Sequence, residues 1–172
     1  MAINLSGRQL EEPDIVEDIA QGIEAAGVDP TTVIIELTES ILVEDFPELV
    51  ERLNAIRALG VSVYADDFGA GFASYSALQS LPFNGVKIDR SLVSGLDTAA
   101  SDRAEAQIRS IIEMASETGM SVVAEGIETG AQARALRSLH CRRAQGFYFA
   151  RPSAPDSLSS ELATRSTLTP TS

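Results

Sequence analysis

Residues 61–72 read VSVYADDFGAGF. A run rich in β-branched residues ends there in two adjacent carboxylates, Asp66 and Asp67, followed by a loop that contains Gly69 and Gly71. Side-chain alternation would place the two carboxylates on opposite sides of a strand, unless the glycines let the chain leave strand geometry. Because neighbouring carboxylates repel each other, a divalent metal ion is the obvious partner if they share a cleft. The stretch predicts a strand that carries a metal-binding group at its C-terminal end.

The composition predicts one soluble globular domain. The chain has 172 residues, of which 44% are hydrophobic and 22% charged. Its formal net charge of −12 argues against binding to a nucleic acid polymer, which depends on basic side chains that neutralise phosphates. No apolar run approaches the roughly 18 residues of a membrane span, and the first residues do not resemble a signal peptide. We therefore expect a cytoplasmic protein without a membrane span.

The chain offers few soft metal ligands. Cys141 is the single cysteine and His140 the single histidine, so an internal disulfide and a Cys/His zinc site are both excluded. Oxygen donors remain, and these favour Mg²⁺, Mn²⁺ or Ca²⁺.

Six strand-then-helix units follow one another along the chain. The predicted strands are 2–5, 33–36, 61–66, 86–89, 121–125 and a last one around 145–149. Helical spacing predicts helices that stop at Gly27, Gly60 and Gly119, with Asp45 as an N-cap of the second, and a capping box formed by Thr129 and Gln132. Strands of Val/Ile type without alternation predict a parallel sheet covered by helices.

The polar residues favour a barrel, since they fall at the C-terminal ends of successive strands, as in the active site of a (β/α)₈ barrel. An open doubly wound sheet is the runner-up. A (β/α)₈ barrel needs eight strands, so six units predict a TIM-type barrel truncated at its N-terminus. We expect this partial domain to span residues 1–156, with a helix end and a disordered tail at 157–172. We also expect the aromatic residues 147–149 to pack inside the barrel.

Six short motifs carry a resemblance to a known family: NLS at 4–6, ELTE at 36–39, DDFG at 66–69, KID at 87–89, AEGIE at 124–128 and QGF at 145–147. In this order and spacing they resemble the EAL-type cyclic-di-GMP phosphodiesterase domain, without the N-terminal part that carries the Glu-Ala-Leu signature. The resemblance implies hydrolysis of cyclic-di-GMP to linear pGpG with two Mg²⁺ or Mn²⁺ ions.

The resemblance also implies a role for each matching residue. The implied metal ligands are Asn4, Glu36, Asp66, Asp67 and Glu125, with Asp66 as the bridge between the two ions. The implied catalytic residues are Lys87, beside the nucleophilic water, together with Glu125 and Asp67. The implied substrate-binding residues are Gln145, Glu128 and Asp89, and Glu39 would anchor the loop after Asp67.

Two departures from the family pattern bear on activity. The signature glutamate, a metal ligand, and the arginine that follows it are absent, and Ala70 stands where the family usually has threonine. We expect an impaired or inactive phosphodiesterase; the alternative is a non-catalytic cyclic-di-GMP-binding or protein-interaction module. A third and more distant interpretation is an aldolase that forms a Schiff base on Lys87. Exposed sheet edges would favour a homo-oligomer or pairing with another domain.

Overall fold

The computed structural model describes residues 1–38, 41, 48–71 and 75–153. The strands are β1 (Ala2–Leu5), β2 (Ile34–Thr38), β3 (Ser62–Phe68), β4 (Gly85–Ile88), β5 (Ser121–Ala124) and β6 (Arg143–Ala144). The helices are α1 (Gly7–Leu10), α2 (Ile15–Ala26), α3 (Leu49–Ala58), α4 (Tyr75–Ser80), α5 (Arg90–Gly95), α6 (Ser101–Glu117) and α7 (Gly130–Ser138), with a 3₁₀ turn at Pro30–Thr32. The predictions for Glu39, Asp45 and the 157–172 tail lie outside the described residues.

The strands form one parallel sheet in which each strand lies beside its neighbours along the chain, in the order β1 to β6. A doubly wound sheet would reverse its order at a switch point, and this sheet does not. The order is that of consecutive strands in a (β/α)₈ barrel.

The central strands are buried at consecutive positions, as predicted: three in a row in β2 and in β3, and all four residues of β4. On one face, Val63, Ala65, Val86 and Ile88 are fully buried against the helices. The alternate positions of the same strands carry polar groups on the other face, which in a barrel is the interior. The sequence pattern is therefore apolar-outside and polar-inside, and it delivers charged side chains to the barrel interior.

Most predicted helices are confirmed. Helix α2 ends at Gly27, whose φ of 61° is the left-handed C-cap conformation, and α7 begins with the predicted Thr129–Gln132 capping box. The short helices α1 and α5 were not predicted. Ser6 and Asp89 start them by accepting hydrogen bonds from the backbone N–H groups of Gln9 and Ser91.

The last strand was predicted too late in the chain. β6 ends at Ala144, and the following residues form a turn in which the Phe149 N–H donates to the Gly146 carbonyl oxygen over 3.0 Å. The three aromatic residues 147–149 are exposed, so the prediction that they pack inside the barrel was also wrong. Among the helices of the described residues, none combines the length and the apolar character needed to cross a bilayer.

Candidate active site

Four strands bring charged side chains to one end of the sheet. Glu36 lies in β2, Asp66 in β3 and Lys87 in β4, while Glu125 directly follows β5. Parallel strands present their C-terminal ends at the same edge, so residues far apart in the chain meet there. The predicted convergence of these residues is what the structure shows.

Lys87 lies at the centre of this group. It is the chain's only lysine, and it is 6% exposed. Its Nζ atom lies 2.5 Å from Glu125 Oε1, 2.9 Å from Glu36 Oε1 and 3.0 Å from Asp66 Oδ1. Burial alone would favour the neutral amine, but the hydrogen bonds to these three carboxylates outweigh it and raise the pKa of Lys87 above its ordinary value. Lys87 is therefore a permanent cation at neutral pH.

The backbone leaves strand geometry at Asp67, as the two glycines allow. Asp67 has a φ of 56°, its N–H donates to Asp66 Oδ1 over 3.0 Å, and the register with β4 shifts between Ala65 and Phe68. The change of direction places both aspartates on the same side. One carboxylate oxygen from each of Asp66, Asp67 and Glu125 lies within 4.8 Å of the others.

This oxygen cluster fits a divalent cation by its donor chemistry, since carboxylates are the ligands that Mg²⁺, Mn²⁺ and Ca²⁺ prefer. Glu36, Asp66, Asp67 and Glu125 together contribute four carboxylates against the single ammonium group of Lys87. Burial raises the pKa of Glu125, with Lys87 opposing and Asp66 and Glu36 adding to the rise. Burial and the charges of Asp66 and Asp89 likewise raise the pKa of Asp67. The cluster carries more negative charge than its lysine offsets.

Gln145 and Glu128 extend the site beyond β5. Gln145 Nε2 donates to Glu125 Oε1 over 2.7 Å, and this is the same oxygen that Lys87 contacts. Glu128 lies in the loop after β5, where its N–H donates to Gln132 Oε1 over 2.8 Å. Both residues line a cleft of about 500 Å³ together with Glu125.

The remaining predicted residues are less closely joined to the cluster. Asn4 pairs with Glu36 in the β1–β2 register and is exposed, so it lies beside the cluster at the sheet edge. Asp89 caps α5 by accepting from the Ser91 N–H over 2.8 Å, and its negative charge contributes to the raised pKa of Asp67. Glu39 lies outside the described residues.

Three cleft residues were missed by the sequence analysis: Arg90, Phe147 and Arg151. The distribution of charge along the sequence would have pointed to Arg151. The chain is strongly acidic, yet residues 130–153 contain five arginines and no aspartate or glutamate. Arg90 directly follows the predicted KID motif, and helix α5, which it begins, was not foreseen.

A parallel sheet in barrel order, with an acidic cluster and a buried lysine at its C-terminal edge, defines a β/α-barrel protein whose site suits a divalent cation. The match to a family model is more specific. The chain belongs to the EAL domain family, whose model matches residues 1–152.

Named relatives and solved structures agree with this assignment. The chain is 36% identical over 152 residues to the cyclic di-GMP phosphodiesterase NbdA of Pseudomonas aeruginosa, covering 88% of this chain and 19% of the relative. It superposes on the EAL domain of Mycobacterium smegmatis DcpA with a TM-score of 0.88 and 36% identity, covering 95% of this chain and 72% of that one. A manganese/cyclic-di-GMP complex of Klebsiella pneumoniae BlrP1 gives a TM-score of 0.80 and 36% identity, with coverages of 88% and 38%.

These similarities confirm the predicted barrel class, with six strands of the barrel present in the described residues. The chain spans 19–26% of the length of the first curated relatives it matches.

Proposed function

We propose that this chain carries a metal-dependent phosphodiesterase site that hydrolyses cyclic-di-GMP to linear pGpG. The observation that supports this most directly is the convergence of the Asp66, Asp67 and Glu125 carboxylates within 4.8 Å of one another, beside a buried lysine. Solved EAL complexes with cyclic-di-GMP and with manganese or calcium add support, because the same fold holds those ligands in Klebsiella pneumoniae BlrP1.

The proposed metal ligands divide into two groups that share Asp66. Asn4, Glu36 and Asp66 would hold one Mg²⁺ or Mn²⁺ ion, and Asp66, Asp67 and Glu125 the other. When bound, such a pair of ions lowers the pKa of a water molecule and neutralises charge that develops on the phosphate oxygens.

The other residues act on the substrate and on the ligands. The Lys87 ammonium, held by three carboxylates, would stabilise negative charge as the phosphodiester bond breaks. Gln145 fixes the orientation of Glu125 through its 2.7 Å hydrogen bond. Glu128, which lines the adjoining cleft, and Asp89, at the start of α5, would contact the substrate.

A low turnover is part of the proposal. The 172 residues contain no Glu-Ala-Leu tripeptide, and Ala70 replaces a threonine that could hold the loop after Asp67. A site with fewer anionic ligands binds a metal ion more weakly, so we expect these 172 residues by themselves to bind metal and turn over substrate less well than a chain that includes the tripeptide.

A second candidate function is a non-catalytic cyclic-di-GMP-binding module. It is favoured by the ion pairs of Lys87, whose ammonium group offsets part of the charge of the three carboxylates that it contacts. An aldolase that uses Lys87 as a nucleophile is disfavoured, because the raised pKa of Lys87 keeps its amine protonated.

The test is incubation of the chain with cyclic-di-GMP and Mn²⁺, Mg²⁺ or EDTA, followed by chromatography of the products. We expect slow, metal-dependent formation of pGpG, which Asp66→Asn abolishes. Asp102→Asn, on the exposed side of α6, is the matched control and should leave the rate unchanged. Ligand binding without pGpG at high protein concentration would favour the binding module, and absence of both would contradict the proposed function.

The outer strands of the sheet, β1 and β6, each have one neighbouring strand in the described residues. Exposed strand edges pair readily with other chains. We propose that they pair with a second copy or another domain, which light scattering over a concentration series would detect.

A further inference from the structure

A second cleft, of about 490 Å³, opens at the opposite end of the sheet from the carboxylate cluster. It is lined by residues near the end of α6 and by the short segments that lead into β5 and β6. Ser121 begins β5 in this cleft, whereas Glu125 directly follows the same strand at the carboxylate cluster. A strand rises about 3.3 Å per residue, so roughly 13 Å of backbone separates the two positions. We call this second site the basal cleft, and the proposed function gives it no role.

The basal cleft is lined by two arginines and by the only histidine of the chain: Arg142, Arg143 and His140. None of the described residues that line it is acidic. The chain as a whole has a net charge of −12, so its few basic side chains are concentrated here against the average. The basal cleft therefore attracts anions, whereas the carboxylate cluster repels them.

The turn between α7 and β6 holds these basic residues. His140 has a φ of 63°, the left-handed conformation in which helices commonly end. The Cys141 N–H donates to the Leu136 carbonyl oxygen over 3.0 Å, and the Cys141 thiol donates to the Arg143 carbonyl oxygen over 3.3 Å. These hydrogen bonds fix the backbone that carries the basic side chains.

Arg142 and His140 keep the hydrogen-bonding capacity of their side chains. Within the described part of the chain, neither side chain forms an ion pair or a hydrogen bond. Arg143 Nη1 donates to the Tyr64 hydroxyl over 3.3 Å, and its other N–H groups remain available. A planar guanidinium group binds two oxygens of a phosphate at once. Paired arginines beside an imidazole therefore suit a phosphoryl group.

Much of the remaining lining is apolar. Ile112, Met120 and Val122 pack against the hydrophobic core and are half-buried. Small-molecule sites of about 300–1,000 Å³ typically combine such apolar surface with a few polar groups that fix the orientation of the ligand. A phosphoryl group carried on an organic ring would use both parts of the lining, because burial of the ring against apolar side chains adds affinity.

We propose that the basal cleft binds an organic phosphate of the size of a mononucleotide. Its phosphoryl group contacts Arg142, Arg143 and His140, and its ring lies on the apolar residues around Met120. The site requires no metal ion and shares no residue with the carboxylate cluster, so the proposal does not depend on the proposed function.

Calorimetry of the full chain with 5′-AMP and with adenosine, both in EDTA, tests the proposal. EDTA prevents metal ions from holding a phosphate at the carboxylate cluster. We expect 5′-AMP to bind about 10-fold or more tightly than adenosine, which lacks the phosphoryl group, and Arg142→Gln to weaken 5′-AMP binding about 10-fold by removing charge-assisted hydrogen bonds. Arg134→Gln is the matched control, an equal change of charge on the exposed side of α7 and outside the basal cleft, and should leave the affinity nearly unchanged.

The ring signals of His140 in NMR spectra locate the binding, because the chain has no other histidine. At constant pH, 5′-AMP should shift these signals with the affinity that calorimetry gives. Binding that leaves the His140 signals in place, or that Arg142→Gln does not weaken, would overturn the proposal. Equal affinities for 5′-AMP and adenosine, or no binding of 5′-AMP at millimolar concentration, would also overturn it.

The same variant separates this inference from the proposed function. Arg142→Gln should lose 5′-AMP binding and retain the metal-dependent formation of pGpG, because Arg142 lies at the other end of the sheet from the carboxylate cluster. Absence of pGpG in the parent protein would contradict the phosphodiesterase and leave the basal site intact. Thermal unfolding verifies that each variant is folded.

Discussion

Lys87 Nζ lies 2.5 Å from Glu125 Oε1, and the same oxygen accepts a 2.7 Å hydrogen bond from Gln145 Nε2. Glu125 is thus bound from two sides, by β4 and by the loop after β6. Lys87 also contacts carboxylates on β2 and β3, so a single ammonium group joins four neighbouring strands of the sheet. Its positive charge offsets part of the repulsion among these carboxylates.

Replacement of Lys87 by methionine should destabilise the metal-free protein by about 3 kcal/mol, because it leaves three close carboxylates without their buried counter-charge. Urea unfolding in EDTA measures this effect. Mn²⁺ should restore much of the loss, since the ion would supply the missing positive charge. The control is Arg109→Met on the surface of α6, which should change the free energy of unfolding by less than about 0.5 kcal/mol. A Lys87→Met variant as stable as the parent in EDTA would show that the ion pairs contribute nothing.

Because Lys87 is the only lysine, amine chemistry can follow it without mutation. Its raised pKa and its burial should make reductive methylation of Lys87 much slower than that of the exposed N-terminal amine of Met1. Peptide mass spectrometry of protein labelled in EDTA would measure the two rates. The denatured chain provides the control: there the Met1 amine also reacts faster, because its pKa is lower, and folding should widen the difference between the two rates. Rapid modification of Lys87 in the folded protein would contradict its burial and its ion pairs with the three carboxylates.

The stability difference between the parent and Asp67→Asn should depend on pH. Burial raises the pKa of Asp67 in the folded state, and the charges of Asp66 and Asp89 add to the rise. A carboxyl group with a raised folded pKa destabilises the fold at pH values above that pKa, and the effect disappears as the pH falls below its unfolded pKa. In EDTA, Asp67→Asn should therefore be the more stable protein at pH 7 and lose this advantage at acid pH. Unfolding curves at several pH values would show it, and a pH-independent difference would exclude the electrostatic cause.

Most of the fold and the charged cluster followed from the sequence, for a physical reason. Asp66 and Glu125 each end a short apolar run, and Lys87 lies between Val86 and Ile88 near the end of another. Parallel strands present such ends at one edge whatever their separation in the chain. The two glycines after Asp67 also indicated that the backbone could leave strand geometry there. These features depend on local residue patterns, which the sequence displays directly.

The cleft lined by Arg90, Glu128 and Phe147 did not follow from the sequence, because it depends on contacts between loops. The turn after β6 is fixed by hydrogen bonds to Ile127, which is distant in sequence and forms part of another loop. Aromatic residues such as Phe147 are typical of strands, so the sequence alone predicts a strand where these contacts form a turn. Arg90 has no pattern of its own, and its partner Glu128 lies 38 positions further along the chain.

Gly69 should be intolerant of a side chain. It has a φ of 98°, and an added Cβ atom would collide with the Leu92 side chain. Gly69→Ala should cost more than the roughly 1–2 kcal/mol of the left-handed conformation and should weaken Mn²⁺ binding by shifting Asp67. Gly22→Ala is the opposing control, because Gly22 lies within α2 with open space around its Cα atom. That change should stabilise the protein by about 0.5–1 kcal/mol. Denaturant unfolding of both variants would test the contrast, and similar effects at the two glycines would contradict it.

Gln132 should control the position of Glu128 although it touches no ligand. Its buried side-chain oxygen accepts hydrogen bonds from the N–H groups of Glu128, over 2.8 Å, and Thr129, over 3.1 Å. Gln132→Ala removes this acceptor and should destabilise the protein by about 1–3 kcal/mol, because two partly buried donors lose their partner. Gln132→Glu retains an acceptor oxygen at the same place in the capping box and should keep most of the stability.

Amide hydrogen exchange distinguishes this local role from a general loss of packing. In Gln132→Ala the amides of Glu128 and Thr129 should exchange faster relative to those of β3, whose protection depends on the sheet. In Gln132→Glu they should remain protected. If Gln132→Ala instead accelerates exchange uniformly across the sheet, Gln132 stabilises the protein as a whole and does not specifically position Glu128. Selective exposure of the two amides would mean that this capping box holds one wall of the cleft in place.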